Sequence, residues 1–303
     1  MSRIDSTYRI NEVLSYIHRD ISANLSAKKL ATLASYSEQH FHRLFKTITG
    51  EGVHQYIRRT RLEAAANQLM FSAERNIQTI AEACGFISLS SFSRAFKSVY
   101  LVTPGEWRSG GKPRDKYHSP DFPPGFLGVP KDPEIDPEIH AAYQRIQPKI
   151  LVKPDIVMLS PRKVAYVRHK GYGRSITDAW QLLKTWAMSE QRSMDIQLGL
   201  HHSNPALVPL DQCRYVACVE IDKPIVRRRY VNSMVIPGGP HAAFTIEGQY
   251  GDLLPYIHKI LEQWLPASPF TAKTTPAFAV YHKNQFLMQD DDFKLTFFLP
   301  ISL

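Results

Sequence analysis

The stretches "LATLASYSEQHFHRLFK", Leu30–Lys46, and "IAEACGFISLSSFSRAFK", Ile80–Lys97, carry one pattern twice, about 51 positions apart. Each begins with a short apolar helix pattern and a turn. Each then has a second helix closing on Phe-x-Arg-x-Phe-Lys: Phe41, Arg43, Phe45 and Lys46, then Phe92, Arg94, Phe96 and Lys97. The flanks echo as well, with Tyr56-Ile57-Arg58 after the first copy and Trp107-Arg108 after the second. Repetition at a fixed spacing marks a repeated structural unit. A helix-turn-helix lays its second helix in a major groove, so two copies predict a chain that reads two successive grooves.

The surrounding residues supply the rest of a helical domain. Ile10, Val13, Leu14, Ile17 and Ile21 recur in steps of three and four, the period of an amphipathic helix. Ser26 caps the next helix, which is expected to bury Leu30, Leu33 and Ala34. "SYS" makes the turn, Ser37 caps a helix to about Ile48, and Gly50 ends it. A longer helix follows over Val53–Phe71, with Tyr56, Ile57, Leu62, Ala65, Leu69 and Met70 apolar. At ~1.5 Å per residue it spans roughly 27 Å, of the order of one turn of DNA, about 34 Å. Asn76 caps a fifth helix that Gly85 terminates, Ser88 caps a sixth, and Thr103-Pro104 opens a short seventh.

Within each second helix the faces separate. Phe41, Leu44, Phe45 and Ile48 are expected in the core, as are Phe92, Ala95, Phe96 and Val99. The outward face of the first carries Gln39, His42, Arg43 and Lys46; that of the second carries Ser90, Ser93, Arg94 and Lys97. Arg, Gln and His hydrogen-bond base edges, whereas Lys and Ser more often position phosphates. For one copy alone an ordinary solvated helix face would explain such residues. Matching Arg and Lys in both copies argues for DNA. Charge agrees: residues 1–110 hold 14 Lys and Arg against 9 Asp and Glu, a net +5 out of +9 for the chain. A basic segment of this kind suits a polyanion.

These residues resemble the AraC-type transcription-regulator DNA-binding domain over about 8–109. The blocks that carry the resemblance are "LATLASYSEQHFHRLFKTITG", "YIRRTRLEAA", "NIQTIAEACGFISLSSFSRAFKSVY" and "TPGEW-R". The resemblance implies seven helices, recognition helices at about 37–48 and 88–99, and promoter binding. By position it makes Gln39, His42 and Arg43, then Ser90 and Arg94, the base-reading residues. The second helix is rich in Ser where the family often has longer polar side chains, which assigns it mainly a grip on phosphate.

Residues 111–150 hold eight of the 21 prolines, and their charges cancel. Proline removes backbone donors and fixes φ, so this stretch reads as a linker that packs little. It divides the chain into a DNA-binding domain over 1–110 and a second domain over 151–303.

Beyond it the periodicity changes to mixed strands and helices. "KVAYVRH", helix "ITDAWQLLKTWAMSE", "DIQLGLHH" and "RYVACVEI" are followed by "HAAFTIEG", helix "LLPYIHKILEQWL", "AFAVYHK" and "FKLTFFLPI". The order β-α-β-β thus occurs twice, with "KGYG" answering "EGQYG" and "KTWA" answering "EQWL". The expected fold is an all-α double helix-turn-helix domain followed by an α+β domain of two such repeats. This half resembles the GyrI-like small-molecule-binding domain over about 155–303. That resemblance implies two pseudo-symmetric halves around a groove, often lined by aromatic residues and an acidic group that receives cationic or aromatic ligands.

Tyr166, Tyr172, Trp180, Tyr215, Trp264, Tyr281 and Phe298 are the aromatic candidates for that groove, and Glu220 the acidic one. Strand parity places Val216, Cys218 and Glu220 on one face and Tyr215, Ala217 and Val219 on the other. Either Glu220 meets the ligand while Tyr215 packs, or the reverse. Relatives often carry a glutamate near the end of the last strand, where this chain has Thr296. Core packing is the competing role for Trp180 and Trp264, and plain solvation for Glu220.

The three cysteines, Cys84, Cys213 and Cys218, do not make a paired disulfide framework and are read as small buried hydrophobes. His201-His202, His241 and Asp290-Asp291-Asp292 invite a metal site, but adjacent strand histidines face opposite ways and the Asp run reads as a solvated turn. No nucleophile–base spacing or phosphate loop is present. Neither catalysis nor a cofactor is therefore expected, nor a bound metal. With no apolar run near 18 residues and no apolar leader, the expected location is the cytoplasm. The expected partners are promoter DNA, a small-molecule effector and RNA polymerase. An alternative for the second domain is recognition of another protein; a less favoured one is hydrolysis of a small ligand.

Overall fold

The computed structural model describes residues 3–71, 75–109, 137–205, 208, 210–223, 225 and 230–303. Most of the proline-rich stretch read as a linker, 111–136, lies outside the described residues. The chain forms two compact units, Met1–Lys112 with Ile225–Asn232, and Pro113–Pro224 with Ser233–Leu303.

The first unit is helical: α1 (Arg3–Arg19), α2 (Ala27–Leu33), α3 (Glu38–Thr49), α4 (Val53–Phe71), α5 (Ile77–Ala83), α6 (Leu89–Tyr100) and α7 (Pro104–Arg108). Local chemistry sets the boundaries. Ser26, Ser37, Asn76 and Ser88 each accept a backbone N–H at a helix start, which satisfies donors the helix itself leaves unpaired. Thr103 and Glu106 form a reciprocal capping box with Pro104 in the first turn. Ile10, Val13, Leu14 and Ile17 of α1 pack with Leu30, Phe41, Phe45 and Tyr56 in one core. The second head is built around Phe92, Phe96, Tyr100 and Trp107, whose rings meet at 4.6 to 5.5 Å. Trp107 Nε1 donates to the Ala66 carbonyl at 3.2 Å, which seats α7 on α4.

Two core expectations, Leu33 and Val99, fail for one reason, and a third residue, Ile21, lies beyond its helix. Leu33 is 46% exposed and Val99 37% exposed, and Ile21 lies outside α1. The buried seam of α2 runs Ala27, Leu30, Ala31, Ala34, and that of α6 runs Phe92, Ala95, Phe96, Tyr100. Leu33 and Val99 sit one step off their seams, and Tyr100 takes the place expected for Val99.

Each head needs two left-handed residues, one inside the turn and one after the second helix. Both copies supply them, but with different chemistry. The turn positions are Ser35 (φ 56°) and Gly85 (φ 82°); the helix ends are Gly50 (φ 83°) and Leu101 (φ 59°). Glycine is compulsory at Gly85 for a second reason. A Cβ there would lie 2.7 Å from the Arg61 guanidinium. Arg61 of α4 reaches back to donate to the Ile21 and Ala23 carbonyls at 2.8 and 2.9 Å. One arginine thus touches both heads.

The second unit opens with α8 (Pro137–Ile146), inside the stretch read as linker. That reading is corrected for this part. Ile139, Ala142, Tyr143 and Ile146 follow helical spacing and are buried, a short amphipathic signal that the neighbouring prolines obscure. The remaining elements are β1 (Asp155–Leu159), β2 (Arg162–Lys170), α9 (Ile176–Ser189), β3 (Gln197–His201), β4 (Arg214–Glu220), β5 (Asn232–Ile236), β6 (Gly239–Gln249), α10 (Leu253–Lys259), β7 (Thr271–Ala272), β8 (Ala277–Lys283) and β9 (Asp292–Ser302). After α10 the chain continues through a π turn, Ile260–Trp264, and a last turn, Leu265–Ala267.

The strand order is β1-β6-β9-β8-β3-β4-β2-β5, with β7 added against the end of β9. The repeats β2-α9-β3-β4 and β6-α10-β8-β9 therefore meet where β3 pairs with β8, Gly199 opposite Ala279. Each repeat also has a preceding strand that pairs with the other repeat, β1 with β6 and β5 with β2. One sheet face carries α9 and α10. The other holds a core of Val164, Tyr166, Leu198, Leu200, Val216, Cys218, Ile236 and Phe278.

Candidate DNA interface and ligand cavity

In the first unit, α3 and α6 present similar faces. Phe41 and Phe45 on α3, and Phe92 and Phe96 on α6, are fully buried. Opposite them, Gln39, Arg43 and Lys46 are exposed and His42 is half-buried; Ser90, Arg94 and Lys97 are exposed and Ser93 is half-buried. The ends of these side chains are lightly held. Arg43 bonds His40 Nδ1 at 2.9 Å, and Arg94 Nε donates to the Ser90 carbonyl at 3.4 Å. His42 lies 3.9 Å from Glu38 and 5.5 Å, ring to ring, from His54. Such contacts exchange readily for a ligand's. An open cleft of about 600 Å³ lies between the heads, floored by His54, Ile57, Arg58 and Arg61 and walled by Ser22–Ser26 and Gly85–Ile87. No carboxylate lines it. Ile87, the extra residue in the second turn, is fully exposed. It is an apolar tip that the sequence reading passed over, although the one-residue insertion between the copies marks it.

In the second unit a small cavity, about 50 Å³ and partly open, lies between α9 and α10 over the β3–β8 seam. Of the eight residues expected to line a groove, it brings together Tyr172, Tyr215 and Tyr281. Cross-strand register explains the rest. Tyr166 pairs with Cys218, and Phe298 with Phe278, so both lie on the opposite face. Val164 pairs with Glu220 on that face too, and Glu220 accepts from Arg162 Nη1 at 2.7 Å. Of the two, Tyr215 therefore faces this cavity and Glu220 does not. Trp180 stands behind the cavity wall, donating to the Tyr215 hydroxyl at 3.2 Å. Trp264 packs on Phe244 and Phe270, away from it. Tyr215 lies flat across the sheet because Gly199 leaves room; a Cβ there would be 2.2 Å from its hydroxyl.

The lining also contains residues the sequence reading missed, among them Ile139, His201, Tyr250, Gln285 and Phe286. Tyr250 is the counterpart of Tyr172 in the other repeat, so the correspondence of "KGYG" with "EGQYG" contained it. Ile139 comes from α8, which thus forms part of the cavity wall. Besides its buried seam, polar contacts hold α8: Tyr143 bonds His258 Nδ1 at 2.6 Å, Arg145 Nε donates to the buried Asp252 at 3.0 Å, and Glu138 accepts from Arg174. Arg174 also binds Asp291 at 2.8 Å, and Lys283 lies 2.9 Å from Asp290 and 3.6 Å from Asp292, so each member of the Asp run is paired rather than merely solvated.

The cavity is electrically neutral. Burial holds His201 down to about 4, and pushes Tyr281 up to about 12 and Tyr215 well above the ordinary range. Among the described residues no Asp, Glu, Lys or Arg lines it. Among the described residues no group of three or more His, Cys, Asp or Glu is gathered to hold a metal ion, and Cys84, Cys213 and Cys218 are free and buried. No helix of the described residues is long and apolar enough to cross a membrane.

Comparison with known proteins matches these two parts separately. A helix-turn-helix domain family covers residues 30–110. The TetD protein of transposon Tn10 from Escherichia coli is 37% identical over 99 residues, 33% of this chain and 71% of TetD. The multiple antibiotic resistance protein MarA of Escherichia coli K12 is 34% identical over 99 residues, 33% of this chain and 77% of MarA. The chain belongs to the AraC-type family. The probable transcriptional regulator LumQ of Photobacterium leiognathi is 35% identical over 102 residues, 33% of this AraC-type chain but only 41% of LumQ. The GyrI-like small molecule binding domain family covers residues 153–302, so the AraC-type unit is joined to a GyrI-like one. That match begins after α8.

Proposed function

We propose that this chain is a sequence-specific promoter-binding regulator whose GyrI-like unit receives a small-molecule effector. The observation that carries the first half is the pair of capped helices, α3 and α6, each with Arg and Lys at matching outward positions. On this reading Gln39, His42 and Arg43 read base edges from α3, and Arg94 does so from α6. Lys46, Ser90, Ser93 and Lys97 grip phosphate. Two heads in one chain suffice for an asymmetric site. RNA polymerase is the further partner, and the cytoplasm the place of action. The neutral cavity under α8 supports the second half. The occupant acts by binding one conformation better than another, without turnover.

The test is binding to fragmented genomic DNA at physiological salt, comparing the unmodified chain with Arg43→Ala plus Arg94→Ala. Enrichment of a few sites that the double variant loses is expected. Weak, salt-sensitive binding that is alike in both proteins would show that the heads are not reading bases.

A further inference from the structure

The cavity in the GyrI-like unit has polar groups that the protein leaves unused. Both ring nitrogens of His201 are buried without a hydrogen-bond partner, and so is Gln285 Oε1. All line the same cavity. Nearby polar groups are satisfied: Tyr215 bonds Trp180 and Tyr281, and Tyr172 donates to the Ser203 carbonyl. His201 is enclosed by the rings of Tyr172, Tyr215 and Phe297 at 5.3 to 6.0 Å. Buried polar atoms are nearly always paired, so orphans gathered at one cavity mark a ligand's hydrogen bonds.

Resting on the effector reading above, we infer that the ligand is an uncharged planar aromatic compound bearing a hydrogen-bond donor and an acceptor side by side, held by His201 and Gln285. A neutral imidazole offers one N–H and one acceptor nitrogen, and the Gln285 carbonyl accepts. Tyr172, Tyr215, Tyr250, Tyr281 and Phe286 supply ring edges and faces. A cation would be stripped of water with no carboxylate to meet it, since Glu220 lies on the other sheet face and Asp252 is already paired with Arg145. At about 50 Å³ the cavity is far smaller than a usual ligand site, roughly 300–1,000 Å³. A ligand of that size needs lining side chains to give way, and Ile139 of α8 is one of them.

Three isosteric probes test this on the full chain by calorimetry: 2-quinolone, with adjacent donor and acceptor; naphthalene, with neither; and N-methylquinolinium, a cation. Ile139→Ala, which trims that side chain, is measured alongside. The expected order has 2-quinolone about tenfold or more ahead of both others, and tighter still in Ile139→Ala. His201→Phe is expected to erase that preference while leaving naphthalene binding unchanged, which a misfolded variant would not do. Preference for the cation would overturn the ligand class yet leave effector binding standing. Equal binding of all three, unaffected by His201→Phe, would remove the roles of His201 and Gln285. Failure of every probe in both proteins would overturn the cavity as a ligand site, while the genomic-fragment experiment decides the DNA reading independently.

Discussion

Replacing Gly85 by alanine is expected to loosen the AraC-type unit through Arg61. The backbone at Gly85 has φ 82°, and a left-handed L-residue costs about 1–2 kcal/mol. The new Cβ would also lie 2.7 Å from the Arg61 guanidinium. That group must withdraw, and its bonds to the Ile21 and Ala23 carbonyls are lost. Hydrogen bonds from a charged donor contribute ~1.5–3 kcal/mol, less where water can replace them. The sum is about 3 kcal/mol, or roughly a hundredfold faster amide exchange in α1, α4 and α5 of the intact chain. Gly50→Ala is the control, because Gly50 has φ 83° with nothing within 4 Å of a new Cβ. It should show only the backbone cost, about 1 kcal/mol. Adding Arg61→Ala should bring Gly85→Ala down to that same figure, a coupling of about 2 kcal/mol in the double-mutant cycle. Equal effects at Gly50 and Gly85, or additivity within about 0.5 kcal/mol, would refute the part assigned to Arg61.

Other outcomes follow from the same geometry. Leu101→Gly relieves a left-handed residue that is 58% exposed and should stabilise the first unit by up to about 1 kcal/mol; a lower melting temperature would show that the leucine side chain outweighs its strain. Arg145→Met leaves the Asp252 carboxylate buried without its charge partner, a loss of about 3 kcal/mol, and exchange in α8 should quicken; unchanged α8 protection would mean the ion pair does not hold α8. His201 and His258 both titrate near 4 in the folded state, below the ordinary histidine value of 6.5. The unfolded chain therefore takes up these protons first. Stability from them is complete above about pH 6.5 and is lost as pH falls toward 4, up to about 3 kcal/mol for each. Urea unfolding of the second unit across that window should show it, His258→Phe should remove about half of it, and a midpoint that does not move with pH would contradict the burial argument.

Much of this was legible in the residues because it depends on local chemistry. Ser26, Ser37, Asn76, Ser88 and Thr103 mark helix starts by what their side chains accept, and Gly50 and Gly85 mark ends by what their backbones allow. The outward set on α3 and α6 follows from a period of 3.6, and the repeats of the second unit from recurring strand and turn chemistry. The α8 helix was hidden because its one apolar seam is only four residues and prolines surround it.

The cavity was a different problem, since it is made by distant elements. Parity correctly separated Tyr215 from Glu220, yet only the placement of α9 and α10 on one sheet face decides which of the two meets the interior. His201 on β3, Gln285 after β8, Tyr250 before α10 and Ile139 on α8 converge only because β3 pairs with β8 across the two repeats. The sequence alone determined the helix-turn-helix pair and its outward residues, because a repeat, a cap and a helical period are properties of neighbours. The wall of the cavity, its lack of charged side chains and the part α8 takes in it were decided by tertiary structure, because burial and hydrogen-bond satisfaction depend on residues far apart in the chain.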